Sequence, residues 1–87
     1  MTFNKITGKN VTSRLSQNLY EAACNANYEL ISVPDINLLK SMGIHAKLQV
    51  HKKYRYAFGG PVILKIDHGQ IAVGKEVASQ IQVREVS

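Results

Sequence analysis

The chain has 87 residues, 45% hydrophobic, 20% charged and 7% aromatic, with a net charge of +5 at pH 7. That length suits one domain with a modest core, and the apolar fraction excludes wholesale disorder. Its single cysteine, Cys24, excludes an internal disulfide; no apolar run reaches the roughly 18 residues of a membrane span, and Met1–Asn10 has no signal-like stretch, so a cytoplasmic protein is expected.

Residues 1–13 are polar, with Phe3, Ile6 and Val11 too sparse to define an element, and read as a flexible N-terminal arm. From Arg14 to Ala26 the spacing of Leu15, Leu19 and Ala22 or Ala23 predicts a short helix. Ser13 or Ser16 can cap its start, and Asn25 and Asn27 suit its end, because asparagine tolerates the left-handed conformation. Cys24, near the end of that helix, is expected to be a buried thiol acting as a small apolar residue.

Tyr28–Val33 is rich in β-branched and aromatic residues and reads as a strand stopped by Pro34. Asp35 is the expected N-cap of a short helix running through Met42 and ending at Gly43, with Leu38, Leu39 and Met42 on one face. The following segment is the most regular. Even positions give Ala46, Leu48, Val50, Lys52, Tyr54, Tyr56 and Phe58, whereas odd positions give His45, Lys47, Gln49, His51, Lys53 and Arg55.

That alternation predicts a half-buried strand with a polar, mostly basic outer face. It is too long to run straight, so a bend is expected near Lys52, which alone breaks the apolar set. Gly59-Gly60-Pro61 marks a turn. Val62–Ile66 and Gln70–Val73 form two strands joined through Asp67-His68-Gly69. A helical turn over Gly74–Gln80 and a closing strand at Ile81–Val83 complete the order. Five short strands in so short a chain predict a mainly β, small, strongly bent barrel over residues 14–87.

Several of these segments resemble the ferrous iron transport protein A (FeoA) family and the similar barrel appended to some iron-dependent repressors. Leu39-Lys-Ser-Met-Gly43-Ile44 resembles the family's turn out of its short helix, and Phe58-Gly59-Gly60-Pro61-Val62 its Gly-x-Pro approach to a central strand. Ile71-Ala72-Val73, Glu76-Val77-Ala78 and Ile81-Gln-Val83 are similar to its ending. Leu19-Tyr-Glu-Ala22 and Tyr28-Glu-Leu-Ile31 are similar to its opening turn and first strand. Where the family usually carries Pro-Gly shortly after Gly-Ile, this chain has Ala46-Lys47, so a wider or differently shaped turn is expected there.

The resemblance implies an SH3-like five-stranded barrel with a short N-terminal helix, a short helix after the first strand and a helical turn before the last. It implies a prokaryotic, transition-metal-related accessory protein. The partner it implies is a membrane ferrous iron transporter (FeoB-like), met through its cytoplasmic GTPase domain, with ferrous iron handled by that partner and no cofactor required. The expected contact residues are Met42, Gly43 and Ile44 at one turn and Tyr54, Tyr56 and Phe58 at another, on a monomer.

Chemistry in the chain itself is sparse. No CxxC, helical HxxxH or EF-hand loop is present. His45 and His51, six residues apart on one strand, lie about 20 Å from each other, too far for one ion. Asp67 and His68 are the remaining metal candidates, at a hairpin tip. No nucleophile elbow, paired carboxylates or phosphate-cradling loop appears, so no catalytic residue and no enzyme is expected.

The basic residues Lys47, His51, Lys53 and Arg55 offer the main alternative, a nucleic-acid-binding barrel using residues 45–55. The plainer reading is a solvated strand face whose charges discourage edge pairing. A third reading is a freestanding repressor-type domain for protein contact or metal sensing.

Overall fold

The computed structural model describes residues 16–86; the expected arm over residues 1–13 lies outside them. Among the described residues six strands form one antiparallel sheet: β1 (Gln17–Asn18), β2 (Ala26–Ser32), β3 (Gln49–Arg55), β4 (Val62–Ile66), β5 (Gly69–Val73) and β6 (Gln82–Val86). Their lateral order is β1-β6-β2-β3-β4-β5. Two short helices interrupt them, α1 (Asn37–Ser41) and α2 (Lys75–Ala78). Tyr28, Leu30, Val50, Val62, Leu64, Val73 and Val83, drawn from five of the strands, share one core with Leu19, Leu39, Ile44, Ala78 and Ile81 from the connections. One inward face with its ends plugged by connecting segments is the packing of a small SH3-like barrel.

The local chemistry explains most boundaries. Ile66 pairs with Gly69, leaving Asp67 and His68 as a two-residue loop, and Gly69 takes a φ of +137°. Helix α1 ends in a Schellman motif: Ile44 N–H donates to the Leu39 carbonyl at 2.9 Å and Gly43 N–H to the Lys40 carbonyl at 3.1 Å. Gly43 supplies the positive φ of +78° that this cap requires. Ile44 then drops into the core against the helix it terminates, 2% exposed. Asp35 does not cap α1; the N-cap position is Ile36, with no side-chain cap bond, and Asp35 pairs with Lys40.

The Ala46-Lys47 turn departs from expectation in an informative way. Lys47 itself takes a φ of +76°, a conformation glycine adopts freely and lysine does not. The turn is tied down by the Lys47 N–H, which donates to the Leu30 carbonyl at 2.7 Å. The backbone shape that a glycine favours is therefore present without the glycine.

The helix expected over Arg14–Ala26 is corrected. Within the described residues, Gln17–Asn18 pairs with β6 as an added strand, and only one helical turn follows, with Ala22 N–H donating to the Asn18 carbonyl at 3.1 Å. The turn does not propagate because other donors take its carbonyls. Lys52 Nζ donates to the Leu19 and Tyr20 carbonyls at 2.9 Å and to that of Ala22. Arg55 also reaches the Tyr20 carbonyl, at 3.0 Å. Asn25 does hold a left-handed φ of +59°, but before β2 rather than after a helix. Cys24, outside any helix, is exposed rather than buried.

Candidate functional site

Strand β3 bends where the sequence reading placed it. Its register with β4 shifts between Lys52 and Tyr54, with Lys52 opposite Leu64 but Tyr54 opposite Ile63. A bulge of one residue reverses the alternation beyond it. Arg55, opposite Val62, therefore shares the face of Lys52, while Tyr54 moves to the face of His51 and Lys65.

This corrects two expectations. Tyr54, Tyr56 and Phe58 do not continue the inward set of Val50 and Lys52; all three are exposed. Nor do Lys47, His51, Lys53 and Arg55 make one basic stripe. Lys47 precedes the strand in its own turn, and His51 donates from Nδ1 to Asn27 Oδ1 at 2.8 Å. Arg55 is drawn across the other face onto Tyr20.

Beyond the bulge, Tyr56 N–H donates to the Pro61 carbonyl at 2.9 Å and Gly60 N–H to that of Ala57 at 3.2 Å. Phe58 and Gly59, at the centre of this hairpin turn, have φ of +60° and +75°, the positive pair of a type I′ turn. Asparagine and glycine suit such positions; phenylalanine does not. Phe58 is also fully exposed, so the barrel gains no packing from it. Beside it, Tyr54 and Tyr56 stack edge to face, with ring centroids 5.3 Å apart and an interplanar angle of 88°.

The turn is held to the rest of the barrel through Tyr20, whose hydroxyl donates to the Gly60 carbonyl at 3.0 Å. Tyr20, Glu21, Arg55, Tyr56, Phe58 and Lys75 line a cleft of about 350 Å³ here. Tyr20, Glu21 and Lys75 are not among the contact residues expected from the sequence, because they come from segments distant from the aromatic turn.

The second expected contact surface is separate. Met42 and Gly43 line a cleft of about 280 Å³ with His45, Leu48, Ile66, Asp67 and His68. Ile44 is not available to a partner, since the Schellman cap buries it. His45, Asp67 and His68 thus share a cleft, yet among the described residues no three His, Cys, Asp or Glu side chains converge as a metal-binding set. His45 Nδ1 is engaged with the Ala46 carbonyl at 2.7 Å. No helix among the described residues is long and apolar enough to cross a membrane.

Comparison with known proteins is consistent with this geometry. A family model described as FeoA domain matches residues 18–85. A crystal structure of an iron uptake regulatory protein (FeoA) superposes with a TM-score of 0.72 at 20% identity, covering 83% of this chain and 99% of the other. An FeoA-like protein from Clostridium acetobutylicum gives 0.71 at 18% identity, covering 83% and 88%. A manganese-dependent transcriptional repressor gives 0.75 at 18% identity, with 84% of this chain matching 43% of the repressor. At these identities the likeness to solved structures establishes the fold. No curated protein matches the sequence.

Proposed function

We propose a role in ferrous iron transport, and the premise is that this chain belongs to the FeoA domain family. It is a small, non-enzymatic, cytoplasmic accessory protein, monomeric, that docks on the cytoplasmic GTPase domain of a membrane ferrous iron transporter (FeoB-like). Iron is the partner's cargo. The accessory protein acts by preferring one conformation of the transporter; a preference of about 1.4 kcal/mol changes the ratio of two states tenfold.

One observation supports docking through the barrel's exterior: an exposed aromatic turn, with Phe58 at positive φ beside the Tyr54–Tyr56 pair. Aromatic side chains are the usual anchors of protein interfaces. The rival nucleic-acid reading loses its main support, because the bulge in β3 separates Arg55 from His51 and Lys53.

The test is capture by the purified cytoplasmic domain of a ferrous iron transporter from the same genome. Wild-type protein is retained, and a Tyr54→Ala, Tyr56→Ala double variant is retained at least tenfold less. Failure to retain the wild type overturns the role; equal retention of the double variant overturns the surface.

A further inference from the structure

The Tyr20 cleft carries an electrostatic imbalance that the fold alone does not resolve. The Arg55 guanidinium carbon lies 4.8 Å from the Tyr20 ring centroid and Lys75 Nζ 5.7 Å from it. Both cations are therefore within the roughly 6 Å over which a ring attracts a positive charge. Drawing two cations to one ring also brings them toward each other, which is unfavourable without an anion.

Glu21 is the one acidic residue lining this cleft among the described residues. Its carboxylate stands 3.9 Å from Arg55 on an exposed side chain, a loose pairing worth little. Lys75 has no ion pair among the described residues.

The two cations are nonetheless well placed. Arg55 is fixed by its bond to the Tyr20 carbonyl at 3.0 Å. The stem of Lys75 passes beside Gly59, close enough that a Cβ there would meet its Cδ at 3.8 Å. Tyr20 is itself fixed to the turn through Gly60. Directly beside these charges stand Phe58, exposed in a conformation unfavourable for its side chain, and the half-exposed Tyr56. Strain at a residue that packs against nothing in its own fold points to a use outside it.

We propose that this cleft binds an acidic peptide segment: a carboxylate seats between Arg55 and Lys75, and a neighbouring apolar side chain lies on Phe58 and Tyr56. This rests on the docking role above and names the chemistry of the docking partner. With Arg55 and Lys75 set against Glu21, the cleft carries one net positive charge, which a single carboxylate balances and a phosphate, whose charge at neutral pH approaches two, exceeds. The excess of positive charge in the cleft favours the encounter and makes it salt-dependent.

The experiment is an NMR titration of the full chain with a blocked hexapeptide carrying two aspartates beside a leucine and a phenylalanine. Its counterpart with both aspartates replaced by asparagine, and guanosine monophosphate, serve as the other arms. The acidic peptide shifts the amides of Tyr20, Arg55, Phe58, Gly59 and Lys75, and the asparagine peptide binds at least fivefold more weakly. Lys75→Gln weakens binding about fivefold, the scale of one exposed ion pair. Phe58→Asn weakens it further without loss of thermal stability.

Equal binding of the two peptides, shifts centred elsewhere, no shifts at millimolar peptide, or binding of the nucleotide alone overturns the proposal. Because the titration contains no transporter, its failure leaves the docking role standing if capture is retained. Conversely, peptide binding with no transporter capture isolates the fault in the choice of partner.

Discussion

The ammonium of Lys52 lies 2.9 Å from the carbonyl oxygen of Leu19, a residue 33 positions earlier, inside the core and 1% exposed. With the Tyr20 and Ala22 carbonyls completing its contacts, the three donors of one ammonium meet three acceptors. This side chain closes the turn after β1 onto the bulge in β3. Removing it by Lys52→Met leaves three carbonyls without their donor and destabilises the fold by about 2–4 kcal/mol. Urea unfolding measures the difference, and a loss below about 0.5 kcal/mol contradicts the account.

Tyr28 ties part of the barrel's alkaline stability to its phenol. Its hydroxyl donates to the Ala23 carbonyl at 2.7 Å, and burial, with the charge of Glu85 adding to it, raises its pKa above the ordinary value of 10.0. A raised folded-state pKa contributes stability that is fully present below about pH 10 and is lost as pH rises through the folded value. Lys52 has the opposite sign: burial lowers its pKa, so stability rises with pH across the window between that lowered value and the ordinary lysine value. Comparing wild type with Tyr28→Phe isolates the tyrosine. The variant loses about 1 kcal/mol at neutral pH and shows a flatter decline above pH 10; parallel profiles refute the assignment.

Lys47 holds a glycine's conformation at φ +76° and is exposed, so its side chain gives the core nothing in return. Lys47→Gly relieves the left-handed strain, about 1–2 kcal/mol, and gives back part of it as unfolded-chain entropy. A net gain of about 0.5–1 kcal/mol is expected. Thermal unfolding checks this, and a lowered melting temperature overturns it.

Much of this architecture was legible from short-range pattern. The hairpin through Asp67-His68-Gly69, the stop at Gly43 and the break at Lys52 each announced themselves by a residue type that local geometry demands. What escaped the sequence depended on distant partners. Leu19 and Ala22 do have helical spacing, and one turn forms, but the carbonyls that would extend it are taken by Lys52 and Arg55, 30 to 35 residues away.

The bulge shows the same limit at the site. Lys52 signalled a bend, yet parity alone could not show that the bend would place Arg55 on the face of Lys52 and Tyr54 on the opposite one. The family resemblance pointed to Tyr54, Tyr56 and Phe58 as contact residues, and all three are exposed in the fold. Its neighbours Tyr20 and Lys75 join it only through the folded topology.

The most direct test of the account is to measure, on one variant, both the fold and the docking. Phe58→Asn places at the turn the residue its positive φ prefers, so the melting temperature holds or rises, consistent with about 0.5–1 kcal/mol gained. Calorimetric titration of the same variant into the cytoplasmic domain of the ferrous iron transporter then shows binding weakened at least tenfold relative to wild type. Unchanged affinity in a fully folded Phe58→Asn protein contradicts the claim that this turn is kept strained and exposed for a partner.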